Sequence, residues 1–219
     1  MVRLGYTGCM NSDNTLQIDT ILRWLGTGSI NLFGRPFAGK DSQGHELAAL
    51  FDAPLLGGGE ILRNSVIPAH VKTALDSGLL VPSQDYISII TPFLSSPNFQ
   101  HKPLILSSLG RWIGEEEGVM GALDASQHPL RVAIYLDIDD DTVHKRWHIS
   151  QQKKDRGERA EDAEELLEVR LEEFRNKTLP VIDVYRQRGL LLEIDATLPR
   201  DEVLRLILAK LEERAQTSR

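Results

Sequence analysis

The chain has 219 residues, of which 41% are hydrophobic and 26% are charged, a composition typical of a globular protein with a sizeable core. Its formal net charge of -7 argues against general binding to nucleic acids or anionic membranes, which favour basic surfaces. The single cysteine, Cys9, excludes a disulfide framework and a cysteine-based zinc site. Because no apolar run reaches the roughly 18 residues of a membrane span and the first residues lack a signal-peptide core, we expect a soluble cytoplasmic protein.

Residues 1–28 differ from the rest of the chain and are predicted to form an N-terminal extension with a short helix. Apolar residues recur there at the spacing of one helical face: Ile18, Ile21, Leu22 and Leu25. Residues 13–15 offer caps before this helix, and Gly26 is expected to end it. We expect the helix to dock on the body of the protein; the alternative is an arm that binds a partner or another copy.

From Ser29 onward, short apolar runs alternate with helical patterns. Five runs predict buried strands, at 29–33, 53–56, 103–108, 131–138 and 190–194. Helical patterns lie at 40–51, 61–77, 83–95, 142–150, 161–187 and 201–214. Continuous apolar strands separated by helices favour an α/β fold with a parallel sheet covered on both faces. We therefore expect one domain over residues 29–214.

The stretch FGRPFAGKDSQ, residues 33–43, contains most of a phosphate-binding loop. Gly34, Gly39 and Lys40 fit the pattern G-x-x-x-x-G-K-[ST], but Asp41 stands at the hydroxyl position and Ser42 follows one residue later. The loop follows a predicted strand and opens a predicted helix, where backbone N–H groups bind anions. This context predicts a site for the phosphates of a nucleotide, with Lys40 reaching the outer ones.

The loop resembles G-x-P-G-x-G-K-G-T-Q of the adenylate kinases, a nucleoside monophosphate kinase family in which one residue separates the lysine from the hydroxyl. Phe37 and Asp41 replace glycines of that pattern, and Ser42 replaces the threonine. Further stretches are similar to family motifs in the same order: GGGEILR (57–63), SGLLVP (77–82), LILSSLGRW (104–112), DIDDDTVHKRW (137–147), RAEDAEELLEVRL (159–171), TLPVIDVY (178–185) and IDATLPRDEV (194–203). The likeness spans roughly residues 29–211.

The resemblance implies a three-layer P-loop nucleoside kinase fold with a five-stranded parallel sheet. It also implies a helical monophosphate-binding segment at 57–86 and a short lid at 150–158. ATP and Mg²⁺ are the implied cofactors, and nucleotides are the implied small-molecule partners. Neither a nucleic acid nor a membrane is expected as a partner, and a monomer is the default.

The resemblance assigns candidate site residues. The candidate catalytic residues are Lys40, Arg111, Arg159 and Arg170. The candidate ATP-binding residues are Gly34, Phe37, Ala38, Gly39, Lys40, Asp41, Ser42, Arg146 and Leu198, with Ser42 also the candidate Mg²⁺ ligand. The candidate monophosphate-binding residues are Gly58, Arg63, Leu79, Leu80, Val81, Ser108, Arg111, Glu115, Arg159 and Arg170. Arginine suits such a site because its planar fork binds phosphate oxygens in pairs.

Three substitutions depart from the family pattern near the phosphates. Ser107 stands where the family has an aspartate that orients water around Mg²⁺, and we expect Asp41 to replace part of that role. Ser150 stands where a second lid arginine is expected. These departures leave open a catalytically weakened nucleotide-binding module of the same fold. A P-loop kinase with a non-nucleotide acceptor is a further alternative.

The residues expected near the acceptor base also differ. Gly58 replaces a threonine, and Glu115 falls where adenine-selective members carry glutamine. An ionised glutamate only accepts hydrogen bonds, and guanine presents two adjacent donors. We expect AMP as the acceptor because the whole pattern resembles adenylate kinases, and a GMP-preferring kinase is the alternative.

Overall fold

The computed structural model describes residues 12–76, 81, 83–153 and 164–217. Its centre is one five-stranded sheet of order β2-β3-β1-β4-β5, in which every neighbouring pair is parallel. The strands are Ser29–Gly34 (β1), Leu55–Gly57 (β2), Leu104–Ser107 (β3), Leu130–Asp137 (β4) and Leu191–Asp195 (β5). The five predicted strands and the predicted α/β fold class are thereby confirmed.

Helices cover both faces of the sheet. They are Ser12–Leu25 (α1), Lys40–Phe51 (α2), Gly58–Asn64 (α3), Ala69–Asp76 (α4), Ser83–Leu94 (α5), Glu115–Ala125 (α6), Asp140–Lys153 (α7), Glu164–Glu173 (α8), Leu179–Gln187 (α9) and Arg200–Thr217 (α10). A short 3₁₀ turn, Pro97–Phe99, lies between α5 and β3. No helix in the described part of the chain is both long and apolar enough to span a membrane.

Alternate residues of the central strands enter different core clusters. In β4, Ile134 belongs to the main cluster, whereas its neighbour Tyr135 belongs to the cluster on the opposite face. Leu32 and Phe33 of β1 divide in the same way. This alternation follows from the strand period of two, and it explains why the strands consist almost entirely of apolar residues.

Two predicted helices are divided in the structure. The predicted helix 61–77 is wrong as one element: α3 ends at Asn64 and α4 begins after Pro68, because the residue before a proline disfavours helical backbone. Within 161–187, a π-helical turn, Phe174–Thr178, separates α8 from α9. Pro180 follows this turn and supplies no backbone N–H, which explains the interrupted hydrogen-bond pattern.

Helix α6 was absent from the predicted elements, since its sequence EEEGVMGALDA contains two glycines and little apolar periodicity. One of these glycines has a packing role. A Cβ atom on Gly118 would lie 2.8 Å from side-chain atoms of Ile87, so the missing side chain permits the close approach of α5 and α6. Glycine lowers the helix propensity of α6, but at position 118 it permits the contact between α5 and α6.

Helix α1 packs into the body of the protein. It already begins at Ser12, so residues 13–15 lie within the helix and the predicted caps there are wrong. Ile21 and Leu25 are fully buried in the main core cluster, which also contains Leu211 of α10. This places the helix in the docked arrangement that we expected.

Hydrogen bonds from β1 hold the chain that follows β3. The buried amide of Asn31 donates to the carbonyl of Leu109 (2.8 Å) and accepts from the Leu109 N–H (3.2 Å). The Ser108 N–H also donates to the carbonyl of Leu32 (2.9 Å). The segment after β3 and the loop after β1 therefore leave the sheet side by side.

We expect Leu25→Ala to lower the free energy of unfolding by about 2–5 kcal/mol, because it leaves a cavity in the main core. Leu16→Ala on the same helix is the matched control, since Leu16 is 62% exposed and its truncation should change stability by no more than about 0.5 kcal/mol. Urea denaturation followed by circular dichroism measures both. Equal effects of the two variants would contradict the docked position of α1.

Candidate active site

The loop between β1 and α2 has the backbone of a tight turn that ends in a helix N-terminus. Gly39, with φ of 94°, adopts the left-handed conformation as the N-cap of α2. A Cβ atom on Gly34 would lie 2.8 Å from the carbonyl oxygen of Leu136, so only glycine fits there. The Lys40 Nζ donates to the carbonyls of Gly34 (2.7 Å) and Arg35 (2.9 Å). Its ammonium group is therefore held against the loop, at a helix end that favours anions.

Phe37 adopts a left-handed φ of 62° where the resemblance leads one to expect glycine. Its side chain packs against the main core, and its carbonyl accepts a hydrogen bond from Arg146 Nη1 (3.1 Å). Arg146 Nη2 also donates to the carbonyl of Ala196 (2.6 Å), and burial lowers the pKa of this guanidinium. Arg146 therefore ties the phosphate loop to the connection between β5 and α10.

Several predicted site residues meet in one cleft of about 490 Å³ next to this loop. The cleft lies among the loop, α3, the segment after β3, and the end of α8 with its π-helical turn. The candidates that line it are Gly34, Lys40, Asp41, Gly58, Arg63, Ser108, Arg111 and Arg170. Ser107 and Phe174 line it as well. Segments far apart in the sequence thus bring cationic groups to one place.

Other candidates do not line this cleft. Among the described ones, these are Phe37, Ala38, Gly39, Ser42, Val81, Glu115, Arg146 and Leu198. Ala38 and Val81 are buried in two different core clusters, and Leu198 packs against the main one. Arg159, Leu79 and Leu80 lie outside the described residues, as does most of the predicted lid.

The guanidinium groups of Arg63 and Arg111 form neither a hydrogen bond nor an ion pair with the described residues. Burial lowers the pKa of Arg111; nearby Glu173 acts in the opposite direction, and Arg170 lowers the pKa further. A pKa lowered by burial and by a like charge indicates a site that an added anion would stabilise. The cleft therefore offers cationic donors to a phosphorylated ligand.

Glu115 supports the turn before α6. It is buried, and its Oε2 accepts hydrogen bonds from the backbone N–H groups of Arg111 (2.8 Å) and Trp112 (3.1 Å). Glu116 similarly accepts from the N–H of Gly114 (2.6 Å). Glu115 thus stabilises the turn that carries Arg111 through Oε2, and its contact with the acceptor base stays a prediction.

Gly58 is also explained by its surroundings. A Cβ atom there would lie 2.7 Å from the hydroxyl of Tyr86, so the tyrosine occupies the space that a side chain at position 58 would need. Burial raises the pKa of Tyr86, which keeps its hydroxyl neutral. The absence of threonine at this position is therefore coupled to a tyrosine on α5.

Arg35 is an important loop residue that sequence reasoning missed. Its Nε donates to Asp140 Oδ1 (2.9 Å), its Nη1 donates to the Tyr135 hydroxyl (2.6 Å), and its guanidinium lies 5.3 Å from the centre of the Phe174 ring. These contacts join the phosphate loop to β4, α7 and the π-helical turn. The sequence signal was an arginine inside the glycine loop, but its partners lie about 100 or more residues away along the chain.

The residues of the cleft can be tested for their fit to Mg²⁺. No group of three or more metal-ligating side chains (His, Cys, Asp or Glu) occurs among the described residues. Asp41 supplies one carboxylate to the cleft, and Ser107 supplies a hydroxyl. Because Mg²⁺ commonly uses one or two carboxylates together with substrate phosphates and water, this set fits an ion that arrives with a nucleotide.

If Glu115 supports the turn before α6, Glu115→Ala should lower the free energy of unfolding by about 1–3 kcal/mol, because two partly buried N–H groups lose their acceptor. Glu115→Gln keeps an acceptor oxygen and should retain most of that stability. If Glu115 acts only on this turn, the ratio of AMP to GMP turnover should change by less than about threefold in Glu115→Gln. A reversal of that ratio would support the predicted contact with the acceptor base.

Comparison with known proteins identifies the family of this chain. A family model described as adenylate kinase matches residues 32–190. An adenylate kinase from Methanosarcina acetivorans is 31% identical over 213 residues, which cover 83% of this chain and 99% of that protein. An adenylate kinase from Methylobacterium nodulans is 30% identical over 188 residues, covering 81% of this chain and 93% of that protein. The chain therefore belongs to the adenylate kinase family, a family of nucleoside monophosphate kinases.

Proposed function

We propose that the protein transfers the terminal phosphoryl group of ATP to AMP and forms two molecules of ADP. The observation that carries this proposal is the shared cleft, in which Lys40 on the phosphate loop lies with Arg63, Arg111 and Arg170. Phosphoryl transfer requires little covalent chemistry from a protein. It requires that two phosphate groups are aligned and that the charge on the transferred group is stabilised.

The cationic groups divide into three roles in this proposal. Lys40 and the loop amides, from Gly34 to Ser42, hold the donor phosphates. Arg63 and Arg111 hold the phosphate of the acceptor, since their guanidinium groups have no hydrogen bond or ion pair with the described protein residues. Arg170, together with Arg159, stabilises the transferred group. Each role uses the paired N–H donors of arginine or the point charge of lysine.

The same proposal assigns supporting roles around the two bases. Arg146 and Leu198 border the donor adenine, next to the loop that Arg146 binds through Phe37. Gly58, Leu79, Leu80, Val81 and Ser108 border the acceptor. AMP is the favoured acceptor because the similar proteins are adenylate kinases, and GMP is the alternative. Glu115 remains the candidate residue for selecting between the two bases, although its Oε2 binds backbone N–H groups.

Mg²⁺ fits this reaction as a partner of the nucleotide phosphates. Asp41 and Ser107, which line the cleft, would hold the ion, and Ser42 is a further candidate ligand. When bound, the ion supplies charge neutralisation to the phosphate oxygens. Residues 57–86 and 150–158 are proposed to form the monophosphate-binding segment and the lid, and the cytoplasm is the proposed location.

We expect Lys40→Ala to reduce turnover at least 100-fold, because it removes a charge that holds the donor phosphates in position for transfer. Lys102→Ala is the matched control: Lys102 is an exposed lysine that pairs with Asp52 away from the cleft. Formation of ADP from ATP and AMP, measured with a coupled assay, gives both rates. The folded state is checked by circular dichroism, and near-normal turnover of a folded Lys40→Ala protein would overturn the assignment.

A further inference from the structure

A second cavity, of about 590 Å³, lies at the opposite end of the strands from the phosphate loop. We call it the arginine groove, and it is lined by Thr20, Arg23, Trp24, Leu130, Arg131, Leu190, Arg214 and Ala215. These residues belong to α1, the start of β4, the residue before β5, and the end of α10. Its volume is in the range of pockets that hold small molecules.

The arginine groove is far from the catalytic cleft. Leu130 and Arg131 begin β4, whereas the phosphate loop follows the last residue of β1, and the two strands are parallel. The eight residues of β4 run from the groove to the end of the sheet that carries the phosphate loop, which corresponds to about 25 Å at the usual rise of a strand. A ligand in the groove would therefore not occupy the cleft.

The charge of the groove differs from that of the whole protein. Among the described residues, three arginines and no acidic side chain line it, although the chain has a net charge of -7. Arg214 is fixed by hydrogen bonds to the carbonyls of Gly189 (2.6 Å) and Leu191 (3.2 Å). Cationic groups collected in a concave surface raise the local concentration of anions.

The arginines of the groove and of the cleft share one property. Across residues 12–76, 81, 83–153 and 164–217, the arginines whose guanidinium groups have neither a hydrogen bond nor an ion pair are Arg23, Arg63, Arg111 and Arg131. Arg63 and Arg111 line the cleft, and Arg23 and Arg131 line the groove. The groove therefore shares one feature with the cleft: each has two arginines whose guanidinium groups form no hydrogen bond or ion pair with the described residues.

Two further contacts shape the groove for a ligand. The side chain of Arg131 lies across Gly28, where a Cβ atom would be only 2.6 Å from Arg131 Cγ, so the glycine makes room for the arginine stem. Trp24 is half-buried and adds a flat apolar wall. A flat ring system stacks on such an indole, while arginine binds phosphate oxygens in pairs.

We propose that the arginine groove is a second binding site, which takes a phosphate monoester attached to a flat ring. The phosphate binds Arg23 and Arg131, and the ring lies against Trp24. A nucleoside monophosphate is the simplest molecule of this class. The proposal depends on the groove alone, so it can be tested separately from the reaction assigned to the cleft.

Equilibrium dialysis of radiolabelled AMP against the full chain tests the proposal by counting bound molecules per chain. We expect two in the unaltered protein and one in Arg23→Gln/Arg131→Gln, whose phosphoryl transfer should stay within about twofold of normal because neither residue lines the cleft. Trp24→Ala should weaken the groove site at least tenfold. Arg205→Gln is the matched control on α10, and it should still bind two molecules.

Other outcomes separate the groove from the cleft. Arg63→Gln/Arg111→Gln should lose the cleft site and keep the groove site. One bound AMP in the unaltered protein and none in Arg23→Gln/Arg131→Gln would support the groove and count against AMP as the acceptor. An equal number of bound molecules in the unaltered protein and in Arg23→Gln/Arg131→Gln would overturn the proposal.

Discussion

The parallel pairing of β1 with β3 is the constraint on which the rest of the site depends. Both strands end at the same edge of the sheet, and the Asn31 amide binds the backbone of Leu109 just beyond β3. The phosphate loop and the turn that carries Arg111 therefore emerge together. Lys40 and Arg111 are 71 positions apart in the sequence, and this pairing is what brings them to one cleft.

Two partly buried interactions then hold the loop and the turn in place. Arg35 connects the loop to Asp140 and Tyr135, and Glu115 accepts hydrogen bonds from the N–H groups of Arg111 and Trp112. Both are charged groups that bind the protein itself. In contrast, the guanidinium of Arg63 has no such partner among the described residues. The molecule thus uses some charges to build the site and leaves others for a ligand.

The sequence was informative where a local pattern determines the structure. The apolar runs located all five strands, and the glycine loop located Lys40 at the start of α2. It was uninformative where a contact between distant segments decides the role of a residue. The hydrogen bonds of Glu115 to N–H groups before α6 have no signal in the sequence, and Gly58 is explained only by the hydroxyl of Tyr86. Helix α6 was missed because Gly118 serves its packing against Ile87.

The proposed reaction requires that the cleft aligns ATP with a nucleoside monophosphate. Its most direct test is a diphosphate-production assay with ATP, Mg²⁺ and each of AMP, GMP, CMP, UMP and dTMP in turn. We expect rapid formation of ADP with AMP and much slower reactions with the others. If no diphosphate forms with any of the five acceptors while ATP still binds, the proposed reaction is wrong. That result would favour a nucleotide-binding module or a kinase for a different acceptor.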